Sequence, residues 1–89
     1  MASGSVKKSL VVYEGGVLNA NSSIQLTGSN KYTVSLVYGT SGYVVVSVSG
    51  NSAILGTTPT NFTVSQSGTT LTITNNTSGN NYRYFGYGV

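Results

Sequence analysis

From Lys31 to Tyr38 the chain reads Lys-Tyr-Thr-Val-Ser-Leu-Val-Tyr, with large apolar side chains at every second position from Tyr32 and the hydroxyls of Thr33 and Ser35 between the first three. Successive strand side chains point to opposite faces of a sheet, so this period of two describes a strand with one face in a core. Short Val-, Thr- and Tyr-rich runs of this kind return roughly every ten residues, separated by Gly, Asn and Ser, and no segment carries apolar residues at 3.6 spacing over a helical length. The pattern predicts an all-β fold without helix: an antiparallel two-sheet β-sandwich, jelly-roll-like, in preference to a closed barrel.

Strands are expected near 7–14, 23–28, 31–38, 43–49, 52–56, 61–66, 69–75 and 81–88. The turns between them fall at Glu14-Gly15-Gly16, Gly28-Ser29-Asn30, Gly39-Thr40-Ser41-Gly42, Gly50-Asn51, Ser67-Gly68 and Asn75–Asn80. These residues tolerate positive φ or hydrogen-bond their own backbone. Pro59 cannot donate to a central ladder and is expected in a loop or at an edge.

Alternation assigns faces. Tyr32, Val34, Leu36 and Tyr38 are expected inward, with Thr33 and Ser35 in water, and Ile24/Leu26, Phe62/Val64 and Leu71/Ile73 repeat the pattern. Two runs break it: Leu10-Val11-Val12-Tyr13 and Tyr43-Val44-Val45-Val46 are apolar on both faces. In an antiparallel protein that second face is expected to be covered, by the end of a second sheet or by another subunit.

The chemistry available is narrow. There is no His, no Cys and no Asp, and Glu14 is the one carboxylate side chain. Acid–base, nucleophilic and metal-assisted catalysis draw on groups that are missing or present once, which argues against an enzyme and against a cofactor or metal. Ser, Thr and Asn instead make up 35 of the 89 residues, so neutral hydrogen bonding and sheet formation are what the chain is suited to. With neither disulfide nor metal to staple so small a core, assembly with copies of itself is expected to supply stability. The net charge of +3 comes from four basic side chains that form no phosphate-binding footprint, so nucleic acid is not expected as a partner. The longest purely apolar run, Tyr43–Val46, is far too short to span a bilayer, and membrane insertion is not expected. Residues 1–5 read as an appended tag, leaving 6–89 as one head domain.

The opening Leu10-Val-Val-Tyr-Glu-Gly15, the segment Ser23-Ile-Gln-Leu26, the run Asn30–Tyr38 and the closing aromatic stretch Asn81-Tyr-Arg-Tyr-Phe-Gly-Tyr-Gly-Val89 together resemble the C-terminal head domains of bacteriophage tail fibres and receptor-binding proteins. Trimeric spore-coat and complement-like knobs share the same look. The resemblance implies a homotrimeric knob at the tip of a virion fibre, outside the cell, that attaches to a bacterial surface glycan. Many such heads carry acidic or His positions near their ligands, where this chain offers only Glu14.

A neutral saccharide is held by aromatic faces with amides and hydroxyls around them, in a concave and partly apolar site. The densest such collection is Asn80, Asn81, Tyr82, Arg83 and Tyr84, with Tyr43 at a loop mouth as a further candidate. By alternation Tyr82 and Tyr84 share one face of the last strand, and Arg83, Phe85 and Tyr87 the other. Phe85 and Tyr87 are expected inward or against a neighbouring subunit, leaving Tyr82 and Tyr84 near the surface. For each tyrosine, ordinary strand packing is the competing reading. Arg83 suits a carboxylate or phosphate on an acidic glycan, or else a solvated or interface position. A non-binding trimerisation cap and a monomeric secreted carbohydrate-binding module are the rival functions.

Overall fold

The computed structural model describes residues 10–56 and 61–89. Eight strands follow one another: β1 (Val11–Leu18), β2 (Ser22–Leu26), β3 (Lys31–Tyr38), β4 (Ser41–Val48), β5 (Asn51–Leu55), β6 (Phe62–Ser67), β7 (Thr70–Asn75) and β8 (Tyr82–Gly88). They form an antiparallel five-stranded sheet, β1-β8-β3-β4-β5, and a three-stranded sheet, β2-β7-β6. The protein is an all-β two-sheet sandwich. A jelly-roll-like wrapping survives in the pairing of β1 with β8 and β2 with β7, which lie far apart in sequence. The β3-β4-β5 meander stays within one sheet, so the division is five and three. Residues 1–5, the first residues of the expected opening strand and Pro59 lie outside the described residues.

Short turns set the registers. Ser49 and Gly50 both have positive φ, 49° and 94°, between Val48 and Asn51, which is the mirror-image turn whose twist matches a hairpin. The β3–β4 turn is tighter than its sequence suggests: Tyr38 pairs with Ser41, so two residues suffice, with Gly39 at φ 59°. Glu14-Gly15-Gly16 is not a turn. Tyr13 pairs with Gly86 and Gly16 with Tyr84, so Glu14 and Gly15 stand together opposite Phe85 in a β-bulge, and β1 runs on to Leu18. Glycine permits the bulge because a β-carbon at residue 15 would lie 2.9 Å from the Tyr84 carbonyl oxygen.

The core lies between the sheets. Tyr32, Val34 and Leu36 of β3, Tyr43 and Val45 of β4, Leu18 and Tyr82 meet Leu26, Phe62, Leu71 and Ile73. Inward alternation therefore holds on both sheets, except that Tyr38, at the open end of β3, is 45% exposed. Polar groups inside are paired. Ser47, fully buried, donates to Gln66 Oε1 at 2.5 Å and sits 2.9 Å from Ser52, while Gln66 Nε2 donates to the carbonyls of Asn30 and Gly68. The Tyr32 hydroxyl donates to the Thr69 carbonyl at 2.6 Å and accepts from the Ser29 amide at 3.2 Å. Among the described residues no buried side-chain nitrogen or oxygen lacks a partner, which is what a small core without staples requires.

The outward faces differ. On the small sheet Ser23 bonds Thr74 at 2.7 Å and Gln25 reaches Thr72, giving a surface built for water. On the large sheet Val12, Val17, Val37, Phe85 and Tyr87 are exposed and Val44 and Val46 half-buried. The expected cover for the second apolar face is not supplied by the chain's own second sheet. Val45 is sealed within the core, whereas its neighbours Val44 and Val46 face outward.

Candidate functional site

The β1–β2, β3–β4 and β7–β8 connections gather at one pole of the sandwich, away from the ends of the described chain at Leu10 and Val89. The longest, Asn76–Asn81, is shaped by one amide. Asn75, the last residue of β7, is fully buried. Its Nδ2 donates to the Leu18 carbonyl at 3.1 Å and to the Asn80 carbonyl at 2.7 Å. Its Oδ1 accepts from the amide of Thr77 at 3.0 Å and from the Thr77 hydroxyl at 2.7 Å. Both donors and both lone pairs are thus used, and the Thr77 hydroxyl in turn accepts from the Asn80 amide at 3.2 Å. The loop is folded over a satisfied polar knot.

Outside that knot lies a polar hollow of about 370 Å³ lined by Asn61, Asn76, Thr77, Ser78, Gly79 and Asn80. Asn76 is held to the neighbouring strand by its amide, 2.8 Å from the Asn61 carbonyl, and by its side chain, 2.7 Å from Thr63 Oγ1. Asn81 turns the other way and accepts the Ala20 amide at 3.0 Å, tying the β1–β2 turn to β8. The hollow is lined by amides and hydroxyls without a charged side chain, a set that hydrogen-bonds neutral groups such as sugar hydroxyls.

Beneath this pole runs an aromatic stack. Tyr82 stands 4.8 Å from Phe62 and 6.0 Å from Tyr43, and Tyr38 lies 5.4 Å from Tyr82 with its outer side open. Burial pushes the Tyr82 phenol above its ordinary value, and the neighbouring phenol of Tyr43 adds to the effect. Tyr82 and Tyr43 are core residues, 3% and 9% exposed, so neither offers a free ring face to a ligand. Tyr82, expected near the surface, packs inward and Tyr84 is half-buried, while Phe85 and Tyr87 point out, which overturns the inward placement of that pair and not the alternative of a neighbouring subunit. Arg83 shares the face of Phe85 and Tyr87, and turning that face inward would bury a guanidinium without a partner.

A second groove, of about 590 Å³, opens where the bulge lifts β1 from β8, lined by Gly15, Gly16, Val17, Val37, Arg83, Tyr84 and Phe85. The six candidate residues therefore do not converge. Asn80 lines the loop hollow with Asn81 beside it, Arg83 and Tyr84 line the bulge groove, and Tyr43 and Tyr82 hold the core together. Asn61, Asn76, Thr77 and Ser78 complete the hollow. Their signal in the sequence is only a cluster of turn-forming residues, and Asn61 comes to it through the pairing of β6 with β7.

Comparison of the chain with protein-family models, with curated proteins and with solved structures finds no match.

Proposed function

We propose that this domain is a non-catalytic recognition head that binds a bacterial surface saccharide through its loop pole, as one copy in a homotrimeric fibre tip of the bacteriophage tail-fibre kind. The observation that carries the reading is the hollow of Asn61, Asn76, Thr77, Ser78 and Asn80, a neutral hydrogen-bonding concavity on a rigid support. The exposed ring of Tyr38 at the same pole supplies an aromatic surface for a sugar C–H face. Likeness of the opening and closing segments to fibre heads supports the wider assignment, and a virion location outside the cell follows from it.

Adsorption to envelope polysaccharides and to whole bacteria tests the reading. Asn76→Ala, Ser78→Ala and Asn80→Ala should each weaken adsorption roughly two- to twelve-fold, the equivalent of a neutral hydrogen bond, with the far-ultraviolet spectrum unchanged. A domain that adsorbs to no polysaccharide and no cell overturns it. The exposed apolar face of the large sheet favours one second reading, a trimerisation cap that binds nothing, which that negative result would support.

A further inference from the structure

The two outward faces of this sandwich have opposite chemistry, though one chain encodes both. The small sheet presents Ser23, Gln25, Thr63, Ser65, Thr72 and Thr74, each alternating with an inward apolar residue. The large sheet presents apolar residues on both sides. Cross-strand register places Val12, Tyr87, Thr33, Val46 and Ala53 in one row across its outer face, and Phe85, Ser35, Val44 and Leu55 in the next. Val12 is 74% exposed, and Phe85 and Leu55 are each 56% exposed. Within these two rows the polar groups are the hydroxyls of Thr33, Ser35 and Tyr87 and, at the β1 edge opposite Phe85, the carboxylate of Glu14. Single exposed hydrophobics are ordinary, but a contiguous patch of several hundred Å² on a domain this small is not.

We propose that further copies of this chain pack against this face around a three-fold axis, the aromatic ridge of each five-stranded sheet entering the low strip of the next, and that this is the contact by which the domain assembles. The inference names the interface of the homotrimer in the reading above and rests on that reading for the number of copies alone. Size is the first reason. Five strands about 4.8 Å apart and about six residues deep at about 3.4 Å each span about 500 Å². Three such faces turned to a common axis remove up to about 1,500 Å² from water over the whole assembly, the scale of a specific contact.

Shape is the second reason. Phe85 and Tyr87 make a ridge on β8, and beside it Thr33 and Ser35 make a low strip on β3. A hollow of about 160 Å³ opens there among Val12, Thr33, Ser35, Phe85 and Tyr87, and a cavity of about 150 Å³ accepts a benzene ring. The face thus carries both an aromatic knob and a socket of matching size. A knob on one copy that enters the socket of the next is a heterologous contact, the kind that closes into a ring.

Charge is the third. Arg83 and Lys31 lie toward opposite ends of the outer face, and Glu14 stands on the edge strand β1 opposite Phe85, so none of the three is at the dry centre of a contact. Edge-to-edge pairing through β1 is opposed by its bulge, which carries Glu14.

Light scattering coupled to size exclusion, on the full chain at micromolar concentration, tests the inference. We expect three times the 9.2 kDa chain mass. Phe85→Lys should return the particle to one chain mass with its far-ultraviolet spectrum intact, and Ser65→Lys on the small sheet should leave the assembly whole. Because the chain has no cysteine, spin labels at Ala53→Cys, on the outer face but outside the socket, and, separately, Ser65→Cys report geometry without disturbing knob or socket. The Ala53 labels should lie closer together than the Ser65 labels. A dimer dissociated by Phe85→Lys supports the face and overturns the trimer. A monomer, or an assembly that survives Phe85→Lys and brings the Ser65 labels closer, overturns the face and leaves it to a different partner. Glycan adsorption measured in parallel separates the two proposals: a monomer that still adsorbs refutes the interface and the trimer but leaves the recognition standing, and an assembly that never adsorbs refutes only the recognition.

Discussion

The ring of Tyr82 meets that of Phe62 edge-on, with centroids 4.8 Å apart and planes at 83°, and so joins β8 of the large sheet to β6 of the small one. An aromatic pair in this geometry adds about 0.5–1.5 kcal/mol to the burial of its area. Tyr82→Ala should therefore destabilise the fold by about 3–5 kcal/mol, read as a shift in the denaturant midpoint at constant slope. Any loss of binding in that variant would reflect lost folded protein, and Tyr82→Phe should retain most of the stability. A Tyr82→Ala domain as stable as the native one would show that the stack contributes little.

Asn75→Leu is close in size but cannot make the four hydrogen bonds that shape the Asn76–Asn81 loop. The Leu18 carbonyl would lose a donor inside the structure, and each such buried group costs about 1–3 kcal/mol. Hydrogen exchange should quicken at Thr77 and Asn80, whose amides are held by Asn75 and Thr77. Protection in the β3–β4 hairpin should follow only the global stability. Unchanged exchange in the loop would remove Asn75 as its organiser.

Gly86 faces inward on β8, and a β-carbon there would lie 2.6 Å from the Thr33 carbonyl oxygen and 2.8 Å from Val34 Cγ2. Backbone stands in the way, so the contact cannot be relieved by turning a side chain. Gly86→Ala should cost about 1–3 kcal/mol through overpacking, although alanine loses less conformational freedom on folding than glycine. Gly79, where an added methyl group would meet nothing within 4 Å, is the matched control. Equal midpoints for Gly86→Ala and Gly79→Ala would contradict the close approach of β8 to β3.

The phenols of Tyr32 and Tyr82 are both raised above 10.0, chiefly by burial. Above pH 10 the unfolded chain releases these protons more readily than the folded one, so stability falls as pH rises. The contribution is fully present below 10.0 and disappears as pH passes through the folded-state values. With no His and no Cys, no side-chain type that ordinarily titrates between pH 5 and 9 is present. Denaturant midpoints should be flat across that range and drop on the alkaline side, with a smaller drop in Tyr82→Phe. A steep change near pH 6–7 would contradict this assignment.

Much of the fold was legible because a sheet repeats every two residues whatever its neighbours do. The run Lys31–Tyr38, the inward faces of Ile24/Leu26 and Leu71/Ile73 and the glycine- and asparagine-rich turns all follow from local sterics and from the cost of leaving apolar side chains in water. The bulge at Glu14-Gly15 was hidden because paired glycines spell a turn as readily as an irregular strand. Only the ladder with β8 on one side distinguishes the two.

The candidate site was less legible because its residues are united by pairing and not by spacing. Asn61 reaches Asn76 only because Phe62 pairs with Asn75 across two strands. In the last strand both faces are aromatic, so alternation separates Tyr82 and Tyr84 from Phe85 and Tyr87 without saying which pair is inside.

The sequence by itself determined that this chain makes strands, where most of them lie, and that its polar groups are mostly hydroxyls and amides with few ionisable side chains. These are properties of residues and their near neighbours. Tertiary structure alone decided which sheet each strand joins, which face of β8 enters the core and that one broad apolar surface is left over. Those outcomes depend on what stands opposite: glycines 86 and 88 let β3 and Ser29 approach closely on one side of β8, while Arg83 requires water on the other.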